Sequence, residues 1–497
     1  MFYLSVCVPG TLSGGPGRVL SDVLLSDVLL EIFDAYRQLY ASDPRSENIW
    51  NSRDGWFKLT HVCRNWRRLV HLSPSRLHVY LRFTPRRSSK APLLKNLPPF
   101  PILVDFRQAS WTKRQVSLAL AALEHHGRVR GIYLGTKGPR FKEPTEVFEA
   151  LSHPFPELES LEICFSCTTY LTTLPTTFLG SASCLRRLKL RFFKQKSLLP
   201  LLSTATGLVE LDLTLKVPQN TFPEESLITN LQRMSCLRRL VLGLMALPRT
   251  RFSYIPRPPA HTRDIVPLPD LTQLVFNGHH IYLEALVAVL AAPSLQHLRV
   301  GILNVTNTIS IPHLCRFICD TDNQFREFHL DFSDNMLGIL AETCSKSIYA
   351  KPFTVIIPGP VSLEEICNRL SGPLANVETL TVVWKVIGES RGVKWRKLFN
   401  HTRQLKSIMV PWQVALDVAH SFQQDGQGLD MELLPALELI NVDMRPWHPD
   451  GGARLEPNSQ DYATIPDAFE PLITAREKVG RPITLSSSTG HPSRYSI

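Results

Sequence analysis

The chain has 497 residues, of which 44% are hydrophobic and 20% charged, and it carries a formal net charge of +11. This length is too great for one compact core of ordinary shape, and the composition is not that of a disordered chain, so we expect several domains or one elongated repeat structure. The modest positive charge does not favour nucleic acid as a partner, because basic residues must be clustered to bind it.

The first residues carry no recognisable export signal. The apolar stretch from Phe2 to Val8 lacks a basic start and is too short for a signal core, and no run approaches the roughly 18–20 apolar residues that span a bilayer. The 10 cysteines are scattered without the density of a small disulfide scaffold, which favours reduced thiols. We therefore expect a protein of the cytoplasm, the nucleus or both, with no membrane partner.

Two amphipathic helices are predicted after a disordered segment at residues 1–19. The apolar residues of 25–39 cover an arc of roughly 200° on a helical wheel, whereas a helix packed on one core needs only about 100°. A second helical stripe runs from 59 to 70 and should end before Ser73-Pro74, because the residue preceding proline avoids the helical region. The surplus apolar surface indicates either a docking face for a second protein or a helical hairpin covered by the rest of this chain.

The order of residues in these helices resembles an F-box. The segments read L-L-S-D-V-L-L-E-I-F at 24–33 and W-F-K-L-T-H-V-C-R-N-W-R-R-L at 56–69. They are similar to the F-box-like domains abundant in mushroom-forming fungi, which implies a small helical domain at residues 20–80. Domains of that family bind the Skp adaptor subunit of cullin-type ubiquitin ligases.

The resemblance also implies which residues contact the Skp-type adaptor. The contact would use Leu24, Val28, Leu29, Ile32 and Phe33, with Val62, Cys63 and Trp66 supporting or extending it. The sequence departs from the family at Leu25, where the family has proline. The pentapeptide Ser-Asp-Val-Leu-Leu also occurs twice, at 21–25 and 26–30, which leaves two helix starts open.

From about residue 129 the chain repeats the signature apolar-x-x-apolar-x-apolar. Clear copies begin at Leu158, Leu185, Leu208, Leu237, Leu271, Leu295 and Phe325, and weaker ones at Val129, Val377, Leu405 and Leu437. The longer gap after Phe325 fits two units, with a degenerate strand at Phe353-Thr-Val-Ile-Ile. The spacing resembles leucine-rich repeats of irregular length. The alternative is a set of unrelated buried strands in separate α/β domains.

The predicted fold class is α/β, with the small helical domain followed by a curved solenoid. One repeat cannot bury its own apolar face, so the repeats of residues 129–450 should stack, with a parallel sheet on the concave side. Residues 81–128 should form a connector and N-terminal cap. Residues 451–497 should form a C-terminal cap, with a closing helix at 466–479 and a flexible tail from Ser486.

The strand positions that point away from the core should form the surface that meets a substrate. Arg187, Lys189 and Arg191 face Glu210 and Asp212 on the next predicted strand. These charges either pair across the sheet or form a mixed-charge surface that selects a protein partner. The later rows are less charged, and we predict partner binding at Thr381, Val383 and Met409.

No catalytic constellation is visible in the sequence. A P-loop, a Rossmann loop and a G-x-S-x-G elbow are all missing, and Cys164-x-x-Cys167 has no second pair at zinc-finger distance. We therefore expect no enzymatic activity, cofactor or metal.

The resemblance implies a substrate-recognition adaptor of a Skp–cullin–F-box ubiquitin ligase. The chain would reach a cullin through the Skp subunit, and the repeats would hold an unknown protein substrate. The alternatives are a leucine-rich-repeat scaffold outside ubiquitination and a nucleic-acid binder that uses the basic run at 186–196.

Overall fold

A computed structural model describes most of the chain, which divides into two compact units, Met1–Leu161 and Glu162–Ile497. The described residues are 28–32, 62–72, 79–82, 100–107, 111–135, 145–164, 182–193, 198–217, 224–246, 265–302, 310–321, 325–333, 336–343, 353–358, 363–385, 393–424, 428–445 and 459–488.

The first unit combines helices with the start of a parallel sheet. Residues 28–32 are helical. The later elements are α1 (Arg64–Leu72), β1 (Val79–Arg82), β2 (Ile102–Phe106), α2 (Lys113–Leu123), β3 (Val129–Gly135) and α3 (Thr145–Ala150), while β4 (Ser160–Cys164) spans the boundary between the units. Strands β1, β2 and β3 pair in parallel, beginning with Val79 opposite Ile102. The parallel sheet therefore begins ahead of residue 129, inside the segment expected to be a connector.

The second unit alternates strands with short helices. Its first half contains β5 (Arg187–Phe193), α4 (Leu199–Thr204), β6 (Glu210–Val217), α5 (Glu224–Leu231), β7 (Arg239–Ala246), β8 (Val266–Pro267), β9 (Gln273–Gly278), α6 (His280–Val287), β10 (Leu290–Ala291), β11 (His297–Ile302) and α7 (Pro312–Cys319). Its second half contains β12 (Phe325–Ser333), β13 (Met336–Thr343), β14 (Phe353–Pro358), α8 (Leu363–Arg369), α9 (Ser371–Leu374), β15 (Thr379–Lys385), α10 (Trp395–His401), β16 (Ser407–Pro411), α11 (Trp412–Ser421), β17 (Gln423–Gln424), β18 (Gly428–Leu429), β19 (Leu439–Asp443), α12 (Ser459–Lys478) and β20 (Thr484–Ser488).

The repeat signature has a defined backbone role in this unit. Its first residue closes a turn by donating its N–H to the carbonyl three residues earlier, as Leu185 does to Ala182 at 3.1 Å. The same turn occurs at Leu237, Leu271, Leu295, Val377, Leu405 and Leu437. The two later signature residues lie on the strand with their side chains inward, so that Leu208, Leu211 and Leu213 are all 0% exposed.

Neighbouring repeats are joined at the start of each strand by one shared carbonyl. The carbonyl of Arg186 accepts N–H groups from both Val209 (2.7 Å) and Glu210 (3.0 Å) of the next repeat. The same double acceptance occurs at the carbonyls of Val209, Arg238, Thr272, Glu378 and Lys406. This recurrence establishes a stacked repeat architecture rather than a set of unrelated strands.

The sheet of the second unit is not parallel throughout, which corrects the sequence expectation. Its strand order is β5-β6-β7-β9-β11-β14-β13-β12-β15-β16-β19-β20. Strand β13 is antiparallel to both β12 and β14, and the resulting three-stranded meander lies between β11 and β15. The strand predicted at Phe353 is present as β14. It is β14 that pairs with β11, although β12 is the strand that follows β11 along the chain.

The C-terminal end of the described chain also differs from expectation. The predicted closing helix is present as α12, with Pro466 and Pro471 inside it. Ser486, expected to begin a flexible tail, instead lies in β20, which pairs in parallel with β19. A strand of small polar residues therefore completes the ladder hydrogen bonds of β19 that would otherwise form an open edge.

The helices cover one face of the sheet. Leu314 and Ile366, from α7 and α8, line a small cavity together with Phe328 and Val355 from the strands. Because strand side chains alternate, the residues between the buried positions lie on the opposite face. We call this opposite face of the second unit the open face; it carries Arg187, Lys189, Arg191, Glu210, Asp212, Arg239, Val275, Asn277, Arg299, Thr381, Val383 and Met409.

Candidate functional site

The predicted adaptor-docking residues include several apolar side chains that the first unit leaves in solvent. Val28 is 54% exposed, Ile32 51% and Val62 58%. Val28 and Ile32 are four residues apart on one helical segment, so they lie on the same side of it. Leu29 is half-buried, while Leu24 and Phe33 lie outside the described residues. Adaptor docking at these positions stays a prediction.

Cys63 and Trp66 are held together at the start of α1. Cys63 is exposed and Trp66 half-buried. The backbone N–H of Trp66 donates to the Cys63 Sγ at 3.5 Å, and the N–H of Arg67 donates to the Cys63 carbonyl at 3.1 Å. Sulfur is a weak acceptor, but it occupies the N-cap position where a helix needs one. The Val-Cys-Arg-x-Trp motif thus has a local structural use in addition to any partner contact.

The basic residues predicted to face a substrate are engaged by carboxylates of the same sheet. Arg187 Nε lies 3.4 Å from Glu210 Oε1, and Lys189 Nζ lies 3.0 Å from Glu162 Oε1. Arg191 Nη2 lies 3.6 Å from Asp212 Oδ2, diagonally across the register. Pairs this exposed contribute only about 0–1 kcal/mol each. They nevertheless neutralise the positive charge through which these basic residues could otherwise bind an acidic partner.

The residues of the less charged rows lie beside one another on the open face, and partner binding there stays a prediction. Thr381 is directly opposite Met409 in the register, and Val383 is opposite Asp331. Val383 is 37% exposed, and Thr381 and Met409 are half-buried. The result is a region of the open face with partly exposed apolar and hydroxyl side chains, bordered by the half-buried Asp331.

Two arginines on the open face lack, among the described residues, the ion pairs that the basic side chains of β5 form. The sequence pattern does not distinguish these two groups of basic residues. Arg239 and Arg299 are both exposed, and in the part of the chain that the structure describes no carboxylate forms an ion pair with either. Glu210 lies opposite Arg239 in the register but pairs with Arg187. This distinction depends on side-chain pairing, which spacing alone cannot show.

Among the described residues, no group of three or more cysteine, histidine or carboxylate side chains is arranged to hold a metal ion. Burial is the main cause that raises the pKa of Cys164 to about 12, and Cys167 lies outside the described chain. His279 and His280 stack at 4.4 Å between ring centroids. His279 Nδ1 accepts the Ile281 N–H at 3.4 Å, so that it caps α6. None of the described helices combines the length and apolar character needed to cross a lipid bilayer.

Comparisons with known proteins add little to this picture. No protein-family model matches the sequence, and no curated protein matches it significantly. Among solved structures, the leucine-rich repeat-containing protein LegL7 from Legionella pneumophila is similar over 79% of this chain and 97% of its own, at 12% identity and a TM-score of 0.27. At that TM-score the two folds do not superimpose closely, and the repeat architecture rests on the turns and register of this chain.

Proposed function

We propose that this chain is the substrate-recognition adaptor of a Skp–cullin–F-box type ubiquitin ligase. Its N-terminal helices would dock a Skp-type subunit, and its leucine-rich-repeat-like unit would hold a protein substrate. The chemistry of ubiquitin transfer would occur on partner subunits, while this chain supplies proximity and orientation.

The observation that carries the proposal is the exposure of Val28, Ile32 and Val62, all more than half exposed. Most apolar side chains of the described chain are buried, and these three coincide with positions that the F-box resemblance assigns to the adaptor. Exposed apolar side chains at such positions are typical of a surface that a partner covers.

Co-purification of the tagged full chain with a recombinant Skp-type adaptor tests the proposal. Burying one such side chain contributes about 1.5–3 kcal/mol, so Val28→Asp combined with Ile32→Asp should weaken adaptor binding more than tenfold. Because both positions are exposed, the variant should keep the melting temperature of the wild type.

A matched control removes two equally exposed apolar side chains elsewhere. Ile265 is 68% exposed and Val479 is 59% exposed, and both lie in the second unit. The Ile265→Asp, Val479→Asp variant should bind the adaptor like the wild type. If the Val28/Ile32 variant also binds unchanged, the docking assignment is wrong; if even the wild-type chain fails to bind, a repeat scaffold outside ubiquitination is the function that remains.

A further inference from the structure

The open face between β7 and β11 carries positive charge in excess. Across β4 to β11, the carboxylates of Glu162, Glu210 and Asp212 are each engaged by a basic residue of β5. Arg239 on β7 and Arg299 on β11 are left without a carboxylate partner among the described residues. Both side chains are exposed, so their charges are available to a ligand.

The register fixes the spacing of these two arginines. Arg239 is opposite Gln273, and Gln273 is opposite His297, two residues before Arg299. With strands about 4.8 Å apart and about 3.3 Å per residue along each, the two Cα atoms lie about 12 Å from each other. An extended peptide covers that distance in about three to four residues.

The surface between the arginines suits a peptide backbone. Val241 and Val275 are half-buried and directly opposite each other in the register. Gln273, also half-buried, lies directly opposite Arg239 on the strand between the two arginines, so its side-chain amide lies beside this apolar pair. A low apolar floor with a hydrogen-bonding amide therefore lies between two cationic groups.

A long polyanion fits this surface poorly. Nucleic-acid binding relies on several phosphates neutralised along a row. Arg187 and Arg191 beside the site are already neutralised, and the carboxylates of Glu210 and Asp212 would repel further phosphates. Two separate carboxylates match the charges that remain, and guanidinium–carboxylate bonds are among the stronger hydrogen bonds in proteins.

We propose that Arg239 and Arg299 bind an extended acidic segment of a protein, through two Asp or Glu side chains four residues apart, which lie on the same side of an extended chain. This deepens the proposed function, on which it rests, by naming the chemistry of the substrate segment. It also places recognition away from Arg187, Lys189 and Arg191, whose charges are satisfied within the sheet.

Selection from a displayed library of random twelve-residue peptides on the immobilised full chain tests the proposal. Peptides retained by the wild type should be enriched in acidic pairs at the predicted spacing. In the Arg239→Gln, Arg299→Gln variant this enrichment should fall at least tenfold. Each single variant should keep preference for one acidic residue and lose the pairing.

The control variant makes the same change in net charge on surfaces away from the site. Arg316 lies exposed on α7 and Arg403 lies exposed ahead of β16. The Arg316→Gln, Arg403→Gln variant should select the same acidic pairs as the wild type. Absence of acidic pairs from the wild-type selection, or their persistence in the Arg239/Arg299 variant, overturns the proposal.

A second measurement separates protein from nucleic acid. Anisotropy of a labelled twelve-nucleotide single strand of DNA should show no binding that depends on Arg239 and Arg299. DNA binding that both arginines support, and that added salt weakens steeply, would replace the peptide assignment. Neither measurement involves the Skp-type adaptor, so failure of adaptor docking and failure of peptide selection are distinguished.

Discussion

At the scale of single residues, the stacked pair His279 and His280 makes stability depend on pH. Burial and the neighbouring His280 lower the pKa of His279 from 6.5 to about 4, and burial also lowers the pKa of His280. A histidine with a lowered folded-state pKa stabilises the fold above its unfolded pKa, and this contribution is lost as the pH falls. The free energy of unfolding should therefore decrease between about pH 6.5 and about pH 4.

The variant His279→Asn isolates this effect. Asparagine is a preferred N-cap and keeps an acceptor for the Ile281 N–H, but it does not titrate. Denaturation midpoints measured across this pH range should fall less steeply for the variant than for the wild type. An identical slope in both proteins would show that His279 does not carry the pH dependence.

At the scale of elements, one carboxylate of a helix caps the helix of the next repeat. Glu284 on α6 accepts the N–H groups of His313 (2.8 Å) and Leu314 (2.9 Å) at the start of α7. Burial raises the pKa of Glu284, while these two donors act in the opposite direction. The contact supplies an N-cap that the sequence of α7 lacks, because Ile311 precedes it.

Removal of this cap should destabilise the junction between the two repeats. Glu284→Ala should reduce the free energy of unfolding by about 1–3 kcal/mol, since it leaves two backbone donors without their charged acceptor. Chemical denaturation measures the loss. Glu149→Ala, at an exposed position of α3, should change stability by less than about 0.5 kcal/mol. Equal effects of the two substitutions would exclude the capping role.

The strands that the sequence predicts are those whose turn and core residues follow the repeat signature. Leu185, Leu188 and Leu190 define both a turn and a buried strand face, so their spacing is sufficient to predict β5. Strand β13 carries no such signature. Its evidence in the sequence is Asp334-Asn335 ahead of it, residue types favoured in two-residue hairpin turns, whereas the apolar run from Met336 to Ala341 shows no polar alternation. The position of that hairpin between distant strands depends on tertiary pairing, which no local pattern specifies.

For the candidate sites as well, the sequence predicts some features and cannot predict others. Helical spacing is enough to predict an exposed apolar side at Val28 and Ile32. The open-face positions of Arg187 and Arg299 likewise follow from alternation along their strands. Which of these arginines is neutralised depends on the side-chain geometry of Glu210 and its neighbours, so the sequence cannot separate a structural arginine from a recognition arginine.

At the scale of the whole molecule, a stacked array depends on how its last repeat is covered. The buried guanidinium of Arg476 on α12 donates through Nη2 to the carbonyl of Leu434 at 2.8 Å and through Nη1 to that of Pro435 at 3.4 Å. Arg476 is 0% exposed, and burial lowers its pKa. These bonds attach the closing helix to the chain that leads into β19.

Loss of this attachment should weaken the end of the array. Arg476→Met should cost about 1.5–3 kcal/mol, because two carbonyls lose a charged donor, and hydrogen exchange should increase first in β19 and β20. Arg481→Met removes the same charge from an exposed pair with Glu432 and should cost no more than about 1 kcal/mol. Unchanged exchange in β19 for the Arg476 variant would contradict the attachment.

The meander also limits how this repeat array can change in length. Strands β14 and β12 run with the array and β13 runs against it, so the chain leaves the meander in the direction in which it arrived. An odd number of alternating strands restores that direction, whereas an even number reverses it. Deleting one of the three strands would reverse the direction of every subsequent strand. The leucines of those strands could then no longer pack against their helices in the same order. Viable insertions or losses at this point must therefore occur as pairs of strands.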